Sequence, residues 1–240
     1  MRRVLVTGGS SGIGLAIARG FAAAGDEVIV TGRREAPLRE TGLPWRLMDV
    51  TDEAQVEAVL RELGPLDVIV ANAGGAVTAP VAATSRADWD AMLALNLTSV
   101  WLCARYAVPP MVERGQGRFI AVASTASLKG YAYAGAYAAA KHGVLGLVRS
   151  LALEVAKTGV TANALCPGYT DTPMIAAAAD AITAKTGRTR EQAEAAFTRS
   201  NPMGRLVAPA EVAAAALWLA SDAAALVNGQ AIAIDGGETA

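Results

Sequence analysis

The sequence predicts one doubly wound α/β domain over residues 1–240, a parallel sheet with helices on both faces. Short apolar runs alternate with helical patterns along the chain, with no long linker and no internal repeat. The first run, Arg3-Val-Leu-Val6, passes directly into a glycine-rich loop and then a helix. Several later runs end in glycine, asparagine or a hydroxyl residue, at the carboxyl ends of strands where open α/β sheets bind their ligands.

Taken in order, Arg3–Val6 is a strand, followed by Thr7-Gly-Gly-Ser-Ser-Gly-Ile-Gly14 and a helical pattern from Ile13 to Ala24 that stops at Gly25. Gly8 allows the tight turn, Gly12 lets backbone approach a pyrophosphate, and Gly14 permits close packing of helix on strand. The free N–H groups and positive dipole end of the helix then face phosphates. The spacing G-x-x-x-G-x-G differs from the commoner G-x-G-x-x-G, yet strand, loop and helix stand in the informative order. The second strand, Glu27–Thr31, leads to Gly32-Arg33-Arg34. No acid stands there to accept from the 2′-OH of NAD, so Arg33, with Arg34 beside it, favours the 2′-phosphate of NADP over a merely solvated charge pair. The link that follows carries no further signal.

Trp45–Met48 reads as a third strand ending in Asp49-Val50, where an adenine amino group finds an acceptor. Asp52-Glu53 opens a helix to about Leu63, and Gly64-Pro65 ends it. Leu66–Ala71 is the fourth strand and terminates in Asn72-Ala-Gly-Gly75, a second loop suited to cofactor contact. A helix from about Arg86 carries Trp89 and Met92 at core or interface spacing, and Asn96 interrupts its apolar face. Phe119–Ala123 is a strand, and an Ala-rich helix runs on to about Ala156. Val160–Leu165 is a strand ending in Cys166-Pro-Gly168. Residues 173–200 depart from the alternation as an Ala-rich helical insertion, either a lid over the substrate or a fixed helix pair. A helix from Pro209 to Ala220 and a strand, Gln230–Ile234, complete the pattern.

The chemistry concentrates between Ser124 and Lys141. Ser124 sits where a strand ends, and Tyr137 and Lys141, four apart on the next helix, project from one face. A free phenol titrates near ~10, and an ammonium held beside it draws that value toward neutrality. A serine hydroxyl aimed at the same point holds and polarises a carbonyl oxygen.

Composition excludes other classes. A net charge of −1 and a pI of about 5.9 give no footing for nucleic acid or an anionic membrane. The apolar start is broken at Thr7-Gly8-Gly9, too early for a signal peptide, and the uncharged run Val68–Ser85 holds Asn72, Gly74, Gly75 and Pro80. A soluble cytoplasmic protein is expected. Cys103 and Cys166 read as buried free thiols, and one histidine, His142, without any Cys/His cluster leaves neither a metal site nor a Ser-His-Asp hydrolase. His142 points away from Tyr137 and is assigned a structural role.

Together, Thr7-Gly8-x3-Gly12-x-Gly14, Asn72-Ala73-Gly74, Asn96, Ser124, Tyr137-x3-Lys141 and Cys166-Pro167-Gly168 resemble the short-chain dehydrogenase/reductase family over essentially the whole chain. The resemblance implies a single Rossmann domain with a seven-stranded parallel sheet, a homotetramer, and hydride transfer between NAD(P) and a carbonyl or alcohol. It implies Tyr137 as acid/base, Lys141 lowering its pKa and binding the nicotinamide ribose, Ser124 holding the carbonyl oxygen, and Asn96 anchoring a water in a relay through Lys141. On the cofactor side it implies Gly8, Ser10, Ser11, Gly12, Ile13, Gly14, Asp49, Val50, Asn72, Ala73, Gly74, Pro167, Gly168 and Thr172, the last at the nicotinamide carboxamide. Ala71 stands where many members have a further Asn.

The expected reaction is reduction of a ketone by NADP(H). The tail, with Asn201-Pro-Met-Gly-Arg205 and Asp235-Gly-Gly237, looks most like reductases of 3-oxoacyl thioesters of coenzyme A or acyl carrier protein. The alternatives are an NAD-dependent secondary-alcohol dehydrogenase for small aryl or alkyl substrates and a non-catalytic NADP-binding protein. Epimerase, dehydratase and enoyl reductase readings are disfavoured by chain length and by the Tyr–Lys spacing. Tyr131, Tyr133, Tyr169 and Met174 flank the expected pocket or are ordinary packing, and Lys185, Arg188, Arg190 and Arg199, nearly balanced by Asp180, Glu191 and Glu194, form a phosphate contact or a solvated face.

Overall fold

The computed structural model describes residues 1–240. Seven strands form one parallel sheet: β1 (Arg3–Thr7), β2 (Glu27–Gly32), β3 (Trp45–Leu47), β4 (Val68–Ala71), β5 (Gly117–Val122), β6 (Val160–Pro167) and β7 (Ala231–Ile234), in the order β3-β2-β1-β4-β5-β6-β7. Nine helices cover it: α1 (Gly12–Ala23), α2 (Glu35–Arg39), α3 (Glu53–Leu63), α4 (Arg86–Leu93), α5 (Ser99–Arg114), α6 (Gly135–Glu154), α7 (Pro173–Thr186), α8 (Arg190–Thr198) and α9 (Pro209–Leu219).

Alternate strand residues serve opposite faces, which explains the continuous apolar runs. Leu5 and Ile69 enter a core of 31 buried residues shared with α3, α5 and α6. Val4, Val6, Val68 and Val70 enter a second core of 20 shared with α1 and α9. The strand order reverses between β1 and β4, so the loops after these strands diverge and leave a crevice at their carboxyl ends.

Local chemistry sets the boundaries. Asp52 caps α3 by accepting from Gln55 N at 3.2 Å, and Gly64 ends it at φ 68°. The link after Arg34, read as featureless, contains α2, fastened by the Arg39–Glu35 ion pair and fully buried Leu38; its five residues with Pro37 inside are too few for a helical period to show. β6 runs past Leu165 to Pro167, and Gly168 N then donates to Ile234 O at 3.0 Å. The 173–200 insertion is two helices, broken at Gly187 (φ 69°), with a capping box between Thr189 and Gln192 starting the second. Helices α4 and α5 are continuous through a π turn at Ala94–Thr98; the 29-residue run is long and apolar enough to cross a membrane by length and composition, and 50% of its most apolar window is buried in the protein.

Candidate active site

A cavity of about 480 Å³ opens at the carboxyl ends of β1, β4, β5 and β6, and it gathers nearly every residue singled out from the sequence. Gly8, Gly12 and Gly14 of the first loop line it. Gly8 and Gly12 adopt φ of 64° and 53°, which a side chain would strain. A Cβ at Gly14 would stand 2.4 Å from Gly8 O, so that glycine makes helix and loop touch. Ser11 starts α1 with extended backbone and no side-chain cap, and no acid occupies the first turn. The first N–H groups of α1 therefore remain available to an anion, as a pyrophosphate requires, and the residues present fit a dinucleotide.

The sequence reading missed the clamp holding this loop. Thr7 Oγ1 accepts from the backbone N–H groups of Asn72 and Ala73, both at 3.0 Å, while Asn72 Nδ2 donates to Thr7 O at 2.8 Å. Asn72 thus spends its amide N–H on the loop. A threonine between a strand and a glycine was the available signal. Arg33 and Arg34 both line the cavity, exposed, and neither enters an ion pair. Asp49 lines it as well, but its carboxylate accepts from Thr51 N at 2.9 Å and Thr51 Oγ1 at 2.8 Å; Val50 beside it is buried.

Asn96 sits in the π turn, fully buried. Its Nδ2 donates to Gly75 O at 2.9 Å and Met92 O at 3.1 Å, and its Oδ1 accepts from Gly75 N at 3.2 Å, tying α4 to the loop after β4. A Cβ at Gly74 would lie 2.9 Å from Asn96 Oδ1 and 3.6 Å from Lys141 Nζ, so glycine lets this loop pass between the two side chains.

Ser124 lies two residues past the end of β5, and its Oγ accepts from Ala126 N at 3.1 Å. Lys141 is 4% exposed, donates to Val122 O at 2.8 Å, and holds its Nζ 5.7 Å from the Tyr137 ring centroid. Burial lowers the lysine to about 8. The expectation for Tyr137 needs correction. Burial raises the phenol above its ordinary value, the Ser124 hydroxyl opposes the rise, and Lys141 does not lead it downward. The cost of taking the phenolate itself out of water sets the direction, and the ammonium, 5.7 Å from the ring centroid, does not reverse it. Tyr137 in this setting is a protonated donor at neutral pH.

Pro167 and Gly168 end β6 at the cavity, and Thr172 stands just before α7, with its hydroxyl making no cap bond, opposite Gly12, whose Cβ would meet Thr172 Cγ2 at 3.2 Å. Ser10, Ile13 and Ala73 line the same space. On the other side stand Tyr131, Tyr169 and Met174. The rings of Tyr131 and Tyr169 meet edge to face, 6.1 Å apart, and Phe197 of α8 backs Tyr169 at 5.1 Å. Tyr133 lies outside this wall. At φ 66° it turns into a small groove with Val77 and Met92, and its carbonyl accepts from Ala79 N at 2.8 Å. His142 is exposed with Nδ1 2.9 Å from Ala138 O of its own helix, and Cys103 and Cys166 are buried free thiols.

Comparison with known proteins agrees with this geometry. The family model described as enoyl-(acyl carrier protein) reductase matches residues 8–239. The D-beta-hydroxybutyrate dehydrogenase of Cupriavidus necator is 39% identical over 250 residues, covering 98% of this chain and 97% of the relative. A putative ketoacyl reductase of Streptomyces coelicolor is 39% identical over 248 residues, covering 97% and 95%. Among solved structures, a point variant of actinorhodin polyketide ketoreductase with NADPH superposes with a TM-score of 0.91 at 38% identity, covering 99% of this chain and 97% of that one. The chain belongs to the short-chain dehydrogenase/reductase family and is an NAD(P)-linked oxidoreductase acting on ketones and secondary alcohols.

Proposed function

We propose that the chain is an NADP(H)-dependent reductase of 3-oxoacyl thioesters carried on coenzyme A or acyl carrier protein. The observation that carries the reading is that Ser124, Tyr137 and Lys141 open into the same cavity as the glycine loop and Arg33. The nicotinamide, when bound, supplies the hydride to the carbonyl carbon. Tyr137 gives its proton to the ketone oxygen, and its raised pKa keeps that proton in place at neutral pH. Ser124 holds the same oxygen through its hydroxyl. Lys141, with an amine at about 8, returns a proton toward the phenol and binds the ribose, while Asn96 holds the lysine's surroundings through the loop of Gly74 and Gly75.

The preference for NADP(H) rests on two exposed, unpaired arginines after β2 and on the likeness to a ketoreductase solved with NADPH. The thioester rests on the ketoacyl reductase likeness. Helix α7 brings Met174 and Ile175 to the cavity, α8 backs Tyr169 with Phe197, and the pair serves as the substrate lid in this reading. Assembly as a homotetramer belongs to it too, with Trp89 and Trp101, each 39% exposed on α4 and α5, as contact residues and light scattering as the test.

A second reading, an NAD-dependent dehydrogenase of small aryl or alkyl alcohols, draws on the edge-to-face tyrosines and the hydroxybutyrate dehydrogenase likeness. Initial rates with a short 3-oxoacyl thioester and with an aryl ketone, each against NADPH and NADH, separate the two. Fast thioester turnover with NADPH supports the first; turnover confined to the aryl ketone with NADH supports the second.

A further inference from the structure

The C-terminal turn carries a buried carboxylate that the hydride-transfer reading does not use. Glu238, third from the end of the chain, has a side chain 1% exposed. It accepts from the Tyr131 hydroxyl through Oε1, and Lys129 Nζ stands 3.0 Å from the same oxygen. The Tyr131 oxygen in turn lies 2.6 Å from Thr125 Oγ1, and Thr125 follows Ser124 directly and is itself 3% exposed. Lys129 completes the knot, its ammonium 5.1 Å from the Tyr131 ring centroid. Neither Glu238 nor Lys129 lines the cavity, whereas Thr125 and Tyr131 do.

The turn bearing Glu238 is rigidly seated. Asp235 accepts from Gly237 N and Thr239 N, each at 3.0 Å, and from the Thr239 hydroxyl at 2.5 Å. A Cβ at Gly236 would collide with Asn201 Oδ1 at 2.1 Å, so the turn is pressed against the segment leaving α8. Glu238 Oε2 lies 3.2 Å from where a Cβ of Gly168 would stand, at the end of β6.

We propose that Glu238 is a positioning residue for the ketone: acting through Tyr131 and Thr125, it locks the segment between Ser124 and Tyr137 and fixes the aromatic wall facing the carbonyl. The hydrogen-bond inventory fixes the consequence. A tyrosine hydroxyl has one proton to give, and Glu238 takes it. What Tyr131 presents to a substrate is therefore its ring, edge to face with Tyr169, and the group beside the carbonyl is apolar or aromatic. A carboxylate is withdrawn from water here because the Tyr131 hydroxyl and the Lys129 ammonium meet it, and removing one member leaves the others short of a partner.

The proposal rests on this side of the cavity being the ketone side, and the test separates that premise from the lock itself. Glu238→Ala, Glu238→Gln, Tyr131→Phe and the Tyr131→Phe/Glu238→Ala double variant are compared for NADPH affinity, for KM and kcat with the N-acetylcysteamine thioester of acetoacetate and with acetophenone, and for amide exchange across residues 124–137. Glu238→Ala and Tyr131→Phe should each raise the KM of whichever ketone is turned over by about tenfold, the double variant no more than either, with NADPH affinity unchanged within about twofold. Glu238→Gln, whose amide oxygen still accepts from Tyr131, should restore most of the loss. Faster exchange across 124–137 in both single variants, with residues 8–14 unchanged, supports the lock even where neither ketone is turned over. Additive effects of the two substitutions, equal loss of NADPH affinity, or unchanged exchange in 124–137 would overturn it.

Discussion

Lys141→Met tests the buried amine most sharply, because the expected effect on stability has a definite pH dependence. The ammonium is 4% exposed, no carboxylate pairs with it, and burial lowers its pKa from 10.5 to about 8. Below pH 8 both folded and unfolded chains hold the proton, and the folded state bears the whole cost of a buried charge. As pH rises through 8 the folded state sheds its proton while the unfolded state keeps its own to about 10.5, so stability rises with pH. The rise is about 1.3 kcal/mol between roughly pH 7 and pH 9, and about 3 kcal/mol over the full window. The neighbouring groups do not blur it: burial raises Cys166 to about 11 and raises Tyr137 above its ordinary value, so neither ionises by pH 9. Methionine carries no charge at any pH. Its neutral-pH gain of about 3 kcal/mol is offset by about 1–3 kcal/mol for the hydrogen bond lost to Val122 O, so the absolute stability changes little. Urea unfolding by circular dichroism at fixed protein concentration, pH 7 to 9, measures the difference between the parent protein and Lys141→Met. A difference growing by about 1.3 kcal/mol in favour of the parent is expected. A flat difference, or one of opposite sign, would refute the buried lysine with a lowered pKa.

Two further outcomes follow from the loops. Gly14→Ala places a methyl 2.4 Å from both Gly8 O and Asn72 Nδ2; the forced shift should cost about 1–3 kcal/mol in denaturant unfolding and weaken cofactor binding in titration, and a neutral result would contradict the helix-on-loop contact. Arg33→Ala should raise the KM for NADPH by roughly tenfold and leave that for NADH unchanged, the lower end for a charge-assisted bond because the side chain is exposed; equal effects on both would assign Arg33 to the solvated face.

Much of this architecture was legible in the sequence because its signals are local. The central strands β1, β4, β5 and β6 are runs buried on both faces, the loops after β1 and β4 carry glycine where backbone must turn or touch, and Tyr137 and Lys141 share a face by helix geometry alone. What escaped depends on distance in sequence. Thr7 clamps a loop 65 residues away, and Glu238 reaches Tyr131 across 107 residues; no local pattern marks either pair. Tyr133 was grouped with the pocket tyrosines by proximity, yet its left-handed backbone turns it into a different groove. The phenol's pKa was misjudged for a physical reason: spacing reports that an ammonium is near, while the burial of the phenol itself sets the direction of its shift.

The central claim is that Tyr137 delivers the proton to a ketone while the nicotinamide delivers the hydride. The most direct measurement is the initial rate of NADPH oxidation with a short 3-oxoacyl thioester, for the parent protein and for Tyr137→Phe, with NADPH binding followed by fluorescence. The phenylalanine keeps the ring and loses the proton, so binding within about twofold of the parent and a rate lower by about 10² or more are expected. Turnover retained by Tyr137→Phe at intact NADPH binding would contradict the account.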